Sequence, residues 1–436
     1  MYAQNTRHIL DHHLYIKWRH LLRFFRPAGN NLFRLLLETL LALLIGICAG
    51  GAGVLFYHAM NYVTNCRMQY PWLLFLLPAG GLLIVFFYHI SGQYDNKGTN
   101  LMLLAVQSGE QVSIKVAPLI FISTLITHLL GGSAGREGAA LQLGGSIGGF
   151  FGDRLHMDQE DHNVMIMCGM SACFSAVFGT PAAAAIFSME VISIGIMHYA
   201  ALVPCVISSF TAALIARYFH AVPEFYDLGL FPGLSFLSAG KIMLLAAAFA
   251  GISIIFCICL HLSENYYKKW FPNPYIRILV GGCLVVAMVF LFRTRDYIGA
   301  GMPMIAACFE TGVPWFAFLL KILFTAVTLG AGYKGGEIVP SFFTGAALGC
   351  VLGPLLGLPM PLCAACGLVG VFCGVTNCPV TSLLISAELF GFAGMPYFMI
   401  TIAVCYMLSG YYGLYNSQKI VYSKYKDRLI NRNAHH

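Results

Sequence analysis

A chain of 436 residues that is 58% apolar and only 10% charged cannot cover a water-facing surface, which in soluble proteins takes about 25% charged residues. Most of its surface must therefore face lipid. The net charge of +7 gathers at the two ends as signals that orient a membrane chain, which argues against a nucleic-acid binder.

Arg7, Lys17, Arg19, Arg23, Arg26 and Arg34 precede or open the first apolar run. No cleavable signal peptide is visible in this polar, basic start, and residues 1–32 read as a cytoplasmic segment. Apolar runs follow at 35–56, 72–90, 117–130, 163–190, 199–216, 242–262, 278–292, 315–330, 342–358, 361–388 and 396–414. A spanning helix takes roughly 20 residues. The runs are continuous rather than alternating, so helices are expected and not a barrel. With 46 Gly and 18 Pro, broken helices are expected too, at places where the backbone is buried in protein or lines a polar cavity. Lys419, Lys424, Lys426, Arg428 and Arg432 follow the last run, which places both termini in the cytoplasm. The 15 cysteines lie mostly inside apolar runs, where Cys packs as a small hydrophobe. Cys363 and Cys366 form a C-x-x-C without a second pair at zinc spacing, so no metal or other cofactor is expected.

The chain repeats itself. GREGAALQLGGSIGG (135–149) matches GGEIVPSFFTGAALG (335–349) at an offset of 200, with Glu137 on Glu337. Residues 168–191 match 366–389 at 198, with Glu190 on Glu388, and 101–109 match 304–312 at 203. Two halves follow: a first transmembrane repeat at 33–217, a connection at 218–239, a second repeat at 240–415 and a tail at 416–436. In membranes such halves point to a transporter with its site at their interface, near the midplane. A packing repeat without a site is the plainer alternative.

Each Gly-rich interruption, GGSAGREG and GAGYKGGEIVP, should open a helix. Helix starts expose free N–H groups and about half a positive charge. Two of them aimed at one point hold an anion without a tightly binding cation. Glu137 falls in the first such turn. Its carboxylate is an anion itself, so it can compete for the site and leave on protonation. The alternative is a helix-start carboxylate paired with Arg136. Glu190 and Glu388, late in their helices, read as acceptors for nearby donors.

These residues resemble the CLC family of chloride channels and exchangers. Gly135 to Gly138 is similar to its gating-glutamate motif, and Gly336 to Pro340 to its second anion-site motif. The segment 409–418 resembles the stretch with the central tyrosine, here Tyr415. The resemblance runs from about residue 35 to 420. It implies an all-α CLC-type fold of two inverted-topology repeats of tilted and broken helices, and a homodimer with one anion pathway per subunit. It also implies anion contacts at Thr99, Asn100, Gly135, Arg136, Gly138, Gly336, Ile338, Val339 and Tyr415.

Gly98-Thr99-Asn100-Leu101-Met102 is more similar to the fluoride-transporting bacterial branch than to the serine motif of chloride carriers. That resemblance implies a protein of the bacterial inner membrane, exporting fluoride in exchange for protons. The internal proton glutamate of many exchangers would follow Glu190, where this chain has Val191. Fluoride is small and strongly hydrated, so its site must replace lost water with compact donors. Thr99 and Asn100 can donate, although both also suit helix caps. Two acids facing one site would repel if both ionised, which casts Glu337 beside Glu137 in proton coupling. Tyr415 reads as a pathway hydroxyl or as an ordinary interface tyrosine. A chloride channel or chloride/proton exchanger is the alternative function. An enzyme is disfavoured, since neither H-E-x-x-H nor G-x-S-x-G occurs.

Overall fold

The computed structural model describes residues 2–93, 97–221 and 225–434, with side chains from residue 35 onward. The basic side chains from Arg7 to Arg34 lie outside the described ones. Among the described residues the chain forms sixteen α-helices, eight in each half. The first eight are α1 (Tyr2–Gln69), α2 (Leu77–Ile90), α3 (Thr99–Ser108), α4 (Val116–Leu129), α5 (Glu137–Arg154), α6 (Gln159–Phe178), α7 (Pro181–Glu190) and α8 (Leu202–Tyr218). Their counterparts are α9 (Phe236–Trp270), α10 (Pro274–Phe292), α11 (Met302–Glu310), α12 (Ala317–Gly330), α13 (Ile338–Leu355), α14 (Met360–Thr376), α15 (Pro379–Phe390) and α16 (Met395–Leu408).

Neighbours repeat with the sequence. In the first half α5 packs on α6, and α1 lies across α6 and α8; in the second α13 packs on α14, and α9 lies across α14 and α16. Between halves, α2 meets α10, α5 meets α13 and α7 meets α15. An element meets its own counterpart at a two-fold axis, so the halves are inverted repeats about one. The tightest crossings are also matched. A Cβ on Gly144 would collide with the carbonyl of Gly169, and one on Gly345 with that of Gly367. Small residues let these backbones touch where lipid offers no hydrophobic drive between helices.

Among the described residues six helical stretches are long and apolar enough to cross a bilayer, including Leu35–Gln69, Phe236–Trp270 and Ile338–Leu355. The last buries 78% of its residues, which puts α13 at the centre. Others are too short to span, and composition misjudged two of them. The runs 163–190 and 361–388 are each two helices. The first breaks at Gly179-Thr180 before Pro181, the second at Asn377-Cys378 before Pro379. Gly179 and Asn377 both adopt positive φ (74° and 59°), which ends a helix, and Pro then opens the next. Helix α5, rich in Gly and polar residues, escaped a reading based on apolar runs.

The offset between the Gly-rich motifs is also corrected. Helix α5 starts at Glu137 and α13 at Ile338, and Gly135 pairs with Gly336. The repeat is therefore displaced by one residue from the sequence match. Glu137 is equivalent to Ile338, while Glu337 is equivalent to Arg136, each of these two preceding its helix. Runs this rich in glycine align almost equally well at either spacing.

Past α16 the chain forms β2 (Lys419–Tyr422) and β3 (Leu429–Asn433). They build a three-stranded sheet with β1 (Ser193–Ile194), in the order β1-β2-β3, with β1 parallel to β2. The exit of α7 is thereby tied to the tail.

Candidate anion site

The two interruptions meet. Gly135 N–H donates to Gly336 O at 2.6 Å, and Gly336 N–H returns a bond to Gly135 O at 2.8 Å. This antiparallel bridge lies on the two-fold axis and brings the starts of α5 and α13 together. Their free N–H groups face a shared point within the protein, the arrangement that favours an anion.

Glycine is required for this approach. A Cβ on Gly336 would lie 2.6 Å from Gly138 N and 3.1 Å from Glu137 N. One on Gly138 would lie 3.0 Å from Thr99 Oγ1 and 3.4 Å from Glu337 Oε2. The same distances show what gathers around the turn: the hydroxyl of Thr99, the carboxyl of Glu337 and the backbone of both interruptions.

Glu137 is fully buried. Its Oε2 accepts the Arg136 N–H at 3.0 Å and, from the opposite half, the Val339 N–H at 3.3 Å. Its Oε1 has no hydrogen-bond partner, and Arg136 Nε stands off at 3.8 Å. The Arg136 guanidinium lies instead over the ring of Tyr57, at 5.1 Å. The carboxylate thus sits on the N-terminus of α13, held through one oxygen by an ordinary bond from its own half and a long one from the other. Beside it is a cavity of about 30 Å³ lined by Arg136, Phe178, Tyr226, Val339 and Phe342, the volume of roughly one water.

Two more buried oxygens lack partners: Glu337 Oε2 and Tyr415 Oη. Buried polar atoms nearly always find a partner. Such atoms also occur elsewhere in the described residues, at Ser123 and Tyr267 for instance, but these three belong to groups that interact electrostatically with one another. The Tyr415 hydroxyl is within Coulomb range of both Glu337 and Glu137, and those two carboxyls are within range of each other.

The remaining expected residues divide. Ile338 and Val339 open α13 and are buried, with Val339 N–H engaged by Glu137. Thr99 and Asn100 open α3, but neither caps it; Gly98, at φ 62°, occupies the cap position without a side-chain bond. The Thr99 hydroxyl turns toward Gly138. Asn100 Oδ1 instead accepts the Ser417 N–H at 3.0 Å, so this side chain holds the tyrosine segment. Val191 is buried, and its carbonyl accepts the Gln418 amide at 3.0 Å. The position after Glu190 thus carries no acid, and its backbone anchors Gln418.

Residues that sequence reasoning passed over hold Tyr415 in place. Gln418 is buried; its Nε2 also donates to Thr376 O at 2.8 Å, and its Oε1 accepts from Asn377 Nδ2 at 3.2 Å. Gln107 Nε2 donates to Ile192 O at 2.6 Å and Ser417 O at 2.9 Å. Leu414 N–H reaches Val375 O at 2.8 Å. The signal available in sequence was the run of polar residues 416–418 shortly after the last apolar helix.

Inverted repeats, paired helix starts and buried, unsatisfied oxygens at their meeting point define a membrane transport protein. A family model described as voltage gated chloride channel matches residues 80–410. The chain belongs to this family, the CLC family. It is 33% identical over 411 residues to the chloride/fluoride channel protein of Pseudomonas syringae pv. tomato, covering 92% of this chain and 91% of that protein. It is also similar to the crystal structure of a CLC-type fluoride/proton antiporter, at 33% identity and a TM-score of 0.85, over 88% of this chain and 98% of that one. A slow cyanobacterial Cl−/H+ antiporter shares the fold, at 19% identity and a TM-score of 0.73, over 85% and 94% of the two chains.

Proposed function

We propose that this protein expels fluoride from the cell in exchange for protons, with Glu137 as the tethered competitor for the anion. The observation that carries this reading is the Glu137 carboxylate on the N-terminus of α13, where Val339 donates to it at 3.3 Å. An anion arriving there displaces it. Protonation weakens its hold on the N–H groups and lets it swing into the cavity beside Arg136. Gly135, Arg136, Gly138, Gly336, Ile338 and Val339 supply the backbone of the site, and Thr99, Asn100 and Tyr415 its inner side. Glu337 is the second proton carrier, taking over a task that Val191 cannot perform.

The protein acts as a homodimer of subunits built from the repeats 33–217 and 240–415. It lies in the bacterial inner membrane with both termini in the cytoplasm, and it is neither an enzyme nor dependent on a cofactor. Fluoride is favoured over chloride by the likeness to a CLC-type fluoride/proton antiporter at 33% identity and by the compact donor at Thr99. The test is flux from liposomes holding the purified chain. Fluoride efflux that outpaces chloride efflux and drives proton uptake supports the reading. Faster chloride efflux would transfer the protein to the chloride carriers.

A further inference from the structure

We infer that Lys321, an ammonium donating to three acceptors, is a positioning residue that supplies positive charge to the anion site. It lies on α12 and is fully buried. Its Nζ donates to Gly299 O at 2.7 Å, Ser133 Oγ at 3.0 Å and Tyr297 O at 3.2 Å, and stands 5.4 Å from the centre of the Phe343 ring. Every one of these partners is neutral. Among the described residues no carboxylate forms an ion pair with it.

The place of this ammonium fits its effect. Ser133 belongs to the first interruption, two residues before Gly135. Phe343 lies on α13, one turn beyond Val339, whose N–H holds Glu137. Tyr297 and Gly299 belong to the loop that opens α11. Lys321 therefore ties together the first interruption, α13 and that loop. Its Nζ is 3.0 Å from Ser133 Oγ, and the two residues from Ser133 to Gly135 span at most about 7 Å, so the charge lies on the order of 10 Å from the meeting point of the helix starts. On the far side of Gly299 sits Arg67, whose guanidinium would collide with any Cβ there and which donates to His128 O at 2.8 Å. The charge breaks the symmetry of the fold: the equivalent position on α4 is Ile120. An unpaired buried charge is costly, and a packing contact would be served as well by isoleucine. At an effective dielectric of about 20, a unit charge roughly 10 Å away changes anion affinity by about tenfold. It does so without touching the ion, so release stays fast.

This inference rests on the anion-transport reading and is tested apart from it. The measurement is initial efflux against internal fluoride, and separately chloride, for the full chain in liposomes. Lys321→Gln keeps donors for both carbonyls and removes the charge, Lys321→Met removes both, and Lys321→Arg keeps the charge. Either neutral variant should raise the half-saturating anion concentration about tenfold with a smaller change in maximal rate, and Lys321→Arg should stay within about threefold of the parent. A wild-type half-saturation in Lys321→Gln overturns the proposal. So does equal weakening in Lys321→Gln and Lys321→Arg, which would mark a packing role alone. Absence of anion flux in the unsubstituted protein would defeat the transport reading instead.

Discussion

The carboxylate of Glu137 accepts the backbone N–H of Val339, 202 residues further along the chain. It fills the start of α13 as an anion would. Two other carboxylates do the same in this fold, and they differ in how well they are held. Glu190 accepts Val380 N–H at 3.0 Å, and Thr381 N–H and hydroxyl at 2.8 Å and 2.6 Å. Glu388 accepts Ala182 N–H at 2.9 Å and Ala183 N–H at 3.0 Å. Each of those uses both oxygens. Glu137 leaves one unpaired and reaches across at 3.3 Å, so it is the one able to leave.

Substituting Glu137 by Gln or Ala should abolish proton movement while anion flux persists. Recording pH and anion electrodes together on the same liposomes checks this. Stoichiometric exchange surviving in E137Q would show that another group carries the proton.

Glu337→Gln should slow fluoride-driven proton flux by at least tenfold. It removes a carboxyl from within Coulomb range of Glu137, and its position offers no substitute base. Coupling indistinguishable from the parent would exclude Glu337 from the proton route.

Glu190 and Glu388 should matter for stability and not for coupling. Replacing either by Ala leaves two helix-start N–H groups, at least partly buried, without acceptors, at up to about 1–3 kcal/mol each. Thermal unfolding in detergent should shift to lower temperature, with the ratio of protons to anions unchanged in whatever protein remains folded. A changed ratio would recast these caps as parts of the transport machinery.

Gly336→Ala should cost about 1–3 kcal/mol of stability through overpacking and suppress transport, because its Cβ would press on the Gly138 and Glu137 amides. Unimpaired flux in this variant would mean that the two interruptions separate during function. Tyr415→Phe, by contrast, should fold normally, since the lost hydroxyl bonds nothing. Its mark should be weaker anion affinity.

Much of this was legible in the chain. Glu137 in its Gly-Arg-Glu-Gly turn and Gly336 before Val339 announce themselves, because close backbone approach demands glycine and a buried acid demands a reason. Helix breaks at Gly179 and Asn377 were missed because hydropathy is blind to φ. The one-residue displacement between Glu137 and Glu337 was invisible for a related reason: glycines match glycines at several spacings, and only the Gly135–Gly336 bridge fixes the register. Gln418 was marked only by the polar run 416–418, and Gln107 by nothing, since its partners are carbonyls of distant segments.

The Gly135–Gly336 bridge also limits how the molecule can work. The two halves are stitched together by a reciprocal pair of short hydrogen bonds, at the point where a rocking transporter would need its hinge to open. Prying them apart would strand Gly135 N–H and both backbone groups of Gly336, with only Gly135 O keeping a second contact, to His128 Nε2 at 3.2 Å. Turnover must then proceed inside a nearly rigid frame, by the swing of a few side chains, with the ion threading past a seam that stays closed.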